Sequence, residues 1–187
     1  MQVLTEYEYN YYSDRGRFCE ENRELISDLI GKTIIGIYQA WDNASEEWDF
    51  DAPVIIEFEN GDLTVNTSCG TKIGLVWNGL FHNEKPAWYR EKPQEFDWEE
   101  NLEWKAPEFS NAFKGKTLIE VDLIGNESTI TGIVLSLSDG QKVGVVDYGD
   151  VTKILLGEEM SEYLREEKRN GCILSNIVEE DTDARKQ

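Results

Sequence analysis

The sequence predicts an α+β chain, mostly β, built from two similar antiparallel β-units, with one helix near the N-terminus and another near the C-terminus. Three observations predict it. Pro53 to Trp77, PVIIEFENGDLTVNTSCGTKIGLVW, alternates apolar and polar residues on either side of Asn60-Gly61. An Asn-Gly pair between two β-rich runs is the strongest short-range hairpin signal, because both residues tolerate positive φ. Short anchors also recur in order: Gly31-Lys32-Thr33-Ile34-Ile35 in Gly115-Lys116-Thr117-Leu118-Ile119, Asn60-Gly61 in Asp139-Gly140, and Thr71-Lys72-Ile73 in Thr152-Lys153-Ile154, at offsets of 84, 79 and 81 residues. Such recurrence marks a duplicated unit. Finally, RFCEENRELISDLI and GEEMSEYLREEKRNG place their apolar residues at helical rather than alternating spacing.

In chain order, residues 1–12 are tyrosine-rich without a period. Ser13 or Asp14 can cap a helix whose apolar stripe is Phe18, Leu25, Ile26 and Leu29, with Gly31 as its stop. Gly31 to Trp41 reads as a strand with Ile35, Ile37 and Gln39 or Trp41 on one face, followed by an acidic loop and the hairpin. Residues 78–110 hold three of the four prolines, Pro86, Pro93 and Pro107, among scattered aromatics. This composition predicts a long irregular connection with one short helix at Pro93 to Trp104. The second unit, 111–178, ends in the helix Gly157 to Gly171 and a last strand within Cys172 to Val178; a tail, 179–187, follows and is expected to be disordered. The boundaries are thus 1–77, 78–110, 111–178 and 179–187. Three or four strands are marginal alone, so the two units are expected to pack as one body.

Charge narrows the function. Among 187 residues, 18 are basic and 38 acidic, a formal net charge of −20. That field repels nucleic acid and anionic membrane, so neither is an expected partner. Cys19, Cys69 and Cys172 are odd in number and far apart, and His82 is the single histidine. Neither a disulfide framework nor a spaced metal-ligand set is expected from them. The start, MQVLTEYEYNYY, lacks the basic and apolar regions of a signal peptide, and no apolar run approaches about 18 residues, so a cytoplasmic location is expected. The two Gly-Lys-Thr triplets, in SDLIGKT and NAFKGKT, lack the earlier glycine of a phosphate-binding loop and precede β-branched residues. No cofactor is expected, and no catalytic residue is assigned.

What remains is an acidic, tryptophan-bearing surface. Asp42 to Asp62 holds eight acids and no lysine or arginine, interleaved with tryptophan and phenylalanine. The candidate partner-binding residues there are Trp41, Asp42, Glu46, Glu47, Trp48, Asp49 and Asp51, the tryptophans as anchors and the carboxylates as steering charges. The plainer alternative is a solvated loop. Calcium ligation is a further alternative: DNASEEWDFD has enough oxygen ligands but lacks the spacing and the central glycine of an EF-hand loop. QEFDWEENLEW repeats the composition and adds Asp97, Trp98, Glu99 and Glu100; if both stretches leave the same side of the sheets they form one patch. The plainer alternative here is an aromatic linker pinned to a sheet.

A strongly acidic, β-rich chain with Asp/Glu-Trp stretches such as WDNASEEWDFD and EFDWEENLEW resembles, in general type rather than by a residue motif, bacterial toxin-immunity proteins. The resemblance implies a non-enzymatic inhibitor that covers the active site of a basic toxin, a nuclease for example, with carboxylates standing in for nucleic-acid phosphates. Two other function classes stay open. One is a carboxylate-dependent hydrolase, with or without a divalent metal, around Glu57, Asp62 or His82. The other is an assembly module pairing through exposed hairpin edges such as residues 62–68.

Overall fold

The computed structural model describes residues 10–68, 72–84, 101–149 and 151–178. Helix α1, Arg15–Leu29, is capped by the Asp14 carboxylate, which accepts a hydrogen bond from the Arg17 N–H at 2.7 Å. Such a cap stabilises a helix by about 1 kcal/mol. Its inward stripe, Phe18, Ile26 and Leu29, is fully enclosed, and Gly31 at φ +87° turns the chain out.

The first sheet contains β1 (Ile34–Asp42), β2 (Glu47–Asp49), β3 (Val54–Phe58), β4 (Gly61–Ser68), β5 (Lys72–Trp77) and β6 (Leu102–Lys105). Its path is β2-β1-β3-β4-β5, with β6 also on β1. A 3₁₀ helix, Glu108–Ala112, leads into the second sheet. That sheet contains β7 (Leu118–Gly125), β8 (Ile130–Leu137), β9 (Lys142–Asp147), β10 (Thr152–Leu156) and, after helix α2 (Gly157–Arg169), β11 (Ile173–Asn176). Its order is β10-β9-β8-β7-β11, and every pairing in both sheets is antiparallel. Among the described residues no helix is long and apolar enough to cross a membrane.

The two sheets follow one plan. Strands β1-β3-β4-β5 and β7-β8-β9-β10 are the same four-strand meander. Each has an added edge strand on the outer half of its first strand: β6 on Gln39–Asp42 and β11 on Asp122–Gly125. Each first strand carries a register shift at the same place, between Ile34 and Gly36 and between Leu118 and Glu120. This bulge corrects the predicted facing of β1: Ile34 and Ile37, rather than Ile35 and Ile37, enter the core. An extra residue in the strand moves the following side chains to the other face.

The copies clasp each other about a local twofold. Thr33 and Thr117 form an antiparallel bridge. Gly31 N–H donates to Leu118 O at 2.8 Å and Gly115 N–H to Ile34 O at 2.8 Å, while Leu118 N–H donates to Lys32 O at 2.9 Å and Ile34 N–H to Lys116 O at 2.8 Å. Each bond is the image of another under the 84-residue offset. The inner faces of both sheets then share one core, in which Ile37, Val54, Ile56, Leu63 and Val65 join Leu123, Ile133, Leu135, Val143 and Val145, with α1 contributing Phe18, Ile26 and Leu29. On the outer face of the second sheet, α2 lays Met160 and Tyr163 over Ile124, Val134, Val146 and Leu155. Its charges suit its dipole, Glu158 and Glu159 in the first turn and Lys168 and Arg169 in the last.

Three further expectations are corrected. The hairpin closes over Glu59 and Asn60, since Phe58 pairs with Gly61, and Asn60 does not take positive φ. Gly61 does take positive φ, 155°, and a Cβ there would also lie 2.2 Å from Asn78 Oδ1 and 2.6 Å from the Trp77 ring. The helix expected at 93–104 does not extend over Leu102–Lys105, which is strand β6 because β1 offers it an open edge; residues 93–100 lie outside the described residues. Residues 62–68 are no edge: β4 is paired with β3 on one side and β5 on the other. Cys19 and Cys172 are buried. Cys69 and the 179–187 tail lie outside the described residues.

Candidate functional site

The acidic stretch begins at the end of β1 and belongs to a three-stranded projection of the first sheet, β2-β1-β6. Beyond Tyr38, β1 carries β2 on one side and β6 on the other, so Trp41 is opposite both Trp48 and Glu103. The Trp41 and Trp48 rings meet edge to face, with centroids 5.0 Å apart at 79°, a geometry that contributes about 0.5–1.5 kcal/mol beyond burial. Asp42 shapes the turn, accepting from the Ala44 N–H at 2.7 Å and the Ser45 hydroxyl at 3.1 Å. The Ala44 bond foremost holds its carboxyl below the usual range. Glu46 sits at φ 57°, a conformation a non-glycine residue keeps only where its surroundings demand it.

Glu46, Glu47 and Asp51 are exposed. Among the described residues, no lysine or arginine forms an ion pair with them or with Asp42 or Asp49. Among the described residues the nearby cation is Lys105, paired with Glu103 at 2.6 Å and placed 4.6 Å over the Trp41 ring. Asp97, Trp98, Glu99 and Glu100 lie outside the described residues. The chain that follows them is anchored at the turn of the projection, where Asn101 O accepts from the Asn43 N–H and from Asn43 Nδ2, both at 3.0 Å.

Asp49 is half-buried, and its carboxylate accepts from the Asp51 N–H at 3.0 Å. Burial foremost raises its pKa, so the ionised form is penalised in the fold. The penalty is complete above the folded pKa and absent below the ordinary value of 3.8. Asp49→Asn is therefore expected to raise Tm at neutral pH by about 1–3 °C. The advantage over the parent should fade on acidification to about pH 3, which paired thermal melts will show.

A second constellation lies on the outer face of the same sheet. Glu57 and Asp62 are directly opposed across the β3–β4 hairpin, and His82 lies over them. Its Nδ1 is 3.6 Å from Asp62 Oδ2 and its Nε2 is 3.9 Å from Glu57 Oε2. The ring stacks on Tyr38, centroids 4.1 Å apart at 10°, and the Tyr38 hydroxyl donates to Glu57 Oε2 at 2.9 Å. Burial foremost, with help from that bond, pushes the Tyr38 phenol up to about 12. Gly36 leaves room for the Tyr38 ring, which comes within 2.8 Å of where a Cβ would stand. Asp62 is 4% exposed; burial raises its pKa, and His82 partly opposes the shift.

Sequence reading named Glu57, Asp62 and His82 only as loose alternatives and missed Tyr38, Gly36, Glu103 and Lys105. The signal for the acid pair was available. Once Phe58 is set opposite Gly61, Glu57 must face Asp62. Nothing local to LFHNEKP places His82 over that pair, because its position depends on how residues 78–82 return across the sheet. No family model matches the chain, and no curated protein or solved structure matches it either.

Proposed function

We propose that this protein is a non-enzymatic acidic binding protein. In concrete terms, it is an immunity protein that neutralises a cognate basic toxin, a nuclease for example, by covering its active site. The observation that supports this reading is the projection itself: an edge-to-face Trp41–Trp48 pair in the same excursion as exposed Glu46, Glu47 and Asp51, whose charges no lysine or arginine among the described residues pairs with. Carboxylates in that setting accelerate encounter with a cationic surface, and a desolvated tryptophan slows departure.

The test is association of the full chain with the basic protein encoded beside it, followed over a range of salt concentrations. Replacing Asp42, Glu46, Glu47, Asp49 and Asp51 by their amides is expected to slow association severalfold at low salt while far-UV circular dichroism is unchanged. Trp48→Ala should instead speed dissociation, by about 30-fold if it acts as an anchor. An association rate that the five amides leave untouched at low salt removes the projection from the reading.

A second reading, carboxylate-dependent hydrolysis, is favoured by the convergence of Glu57, Asp62 and His82. It requires turnover that His82→Ala abolishes, and a screen against ester, phosphoester and glycoside substrates decides it.

A further inference from the structure

The geometry points to a divalent transition-metal site, zinc foremost, formed by Glu57, Asp62 and His82. One ligand atom from each of the three lies within 4.8 Å of the others. Two ligands held at about 2.1 Å on a tetrahedral ion stand roughly 3.4 Å apart. The 3.6 Å between His82 Nδ1 and Asp62 Oδ2 fits that spacing and is long for a hydrogen bond. His82 Nδ1 is moreover enclosed without a hydrogen-bond partner, a costly condition that a bound cation would relieve. The donor set of one imidazole and two carboxylates suits zinc or manganese rather than calcium or magnesium, which take oxygen ligands.

The charge arrangement also asks for a cation. Like charges directly opposed across a hairpin destabilise it, and one of these two, Asp62, is almost wholly buried. The duplication supplies an internal comparison. In the second sheet the positions matching Glu57 and Asp62 are Ser136 and Lys142, which pair in the same register. The meander therefore forms without an acid pair, and the acids of the first copy are not a demand of the fold. Tyr38 supplies the outer support that metal-binding carboxylates usually have, through its 2.9 Å bond to Glu57. The side chains of His82 and Glu57 are 25% and 23% exposed, which leaves a path from solvent.

The competing account is that His82 merely straps residues 78–82 to the sheet by facing two carboxylates, with no ion involved. Titration of the full-length, metal-stripped protein separates the two, using zinc by calorimetry and cobalt as its coloured substitute by visible absorption. One saturable equivalent is expected. His82→Ala should lower affinity at least 100-fold, and Tyr38→Phe, which keeps all three ligands, roughly 10-fold. The five-amide variant of the projection should bind as the parent does, which separates this site from diffuse attraction to a chain of net charge −20. Absence of a saturable equivalent in the parent overturns the proposal whatever the variants do, as does equal affinity in parent and a folded His82→Ala. Neither outcome bears on the tryptophan projection.

Discussion

Gly132→Ala is expected to lower stability by about 2–3 kcal/mol, the upper range for a methyl group forced into a packed interior. Gly132 lies on β8, which is paired on both sides, opposite Val146 of β9 and Ile124 of β7. An added Cβ would stand 2.7 Å from the Val145 carbonyl oxygen and 2.9 Å from Val146 Cα. Both are backbone atoms of a paired strand and cannot swing aside, so β8 and β9 must separate. The backbone of Gly132 does not adopt positive φ, so the effect is one of space alone. Gly144→Ala is the control. Its nearest neighbour is the Met160 sulfur at 3.0 Å, the end of a flexible side chain, and a loss of under about 1 kcal/mol is expected. Urea unfolding with unchanged slope reads both; equal losses would show that steric contact with backbone is not what sets the cost.

Dividing the chain is expected to have the larger consequence. Fragments 1–90 and 91–187, produced separately, should each fail to show cooperative unfolding, and mixing them should restore it. Each meander exposes a whole apolar face when its twin is removed. The clasp at Thr33 and Thr117 leaves two donors and two acceptors unpaired on each side. Helix α1 belongs by sequence to the first copy, yet the core that buries Phe18, Ile26 and Leu29 includes Leu118, Val121 and Leu123 of β7. The intact chain should accordingly melt in one transition, coincident by tryptophan fluorescence and far-UV circular dichroism. A fragment 91–187 that unfolds cooperatively alone would overturn this and favour two independent domains.

Much of this architecture was legible from residues. Asp14, the Phe18–Leu29 stripe and Gly31 specify α1 by local chemistry, and α1 forms where they place it. The three repeated anchors mark the start of β1 and β7, the hairpin turns and the start of β5 and β10, which is why the duplicated meander could be anticipated from short rhymes. What local pattern did not carry were features set by partners distant in sequence. The bulge at Ile35 depends on how β1 meets β3, and β6 depends on an edge supplied about 60 residues earlier. Composition identified the acidic projection, but only the register of β1 with β2 reveals that Trp41 and Trp48 touch. Asn-Gly signalled the right hairpin for an incomplete reason: only the glycine takes positive φ, and it stands just past the turn, where Trp77 and Asn78 also leave no room for a Cβ.

The duplication also divides labour between the copies. Between β7 and β8 the chain turns through residues 126–129, closed by the Asn126 N–H to Thr129 O bond at 2.8 Å. At the matching place in the first copy it departs for residues 43–53 and returns with β2 before joining β3. One twin thus keeps the economical corner while the other has been free to elaborate, because the shared frame tolerates either solution. The short corner is accordingly a natural graft acceptor: transplanting the longer excursion there would place a second tryptophan-bearing projection where the local twofold relates it to the first.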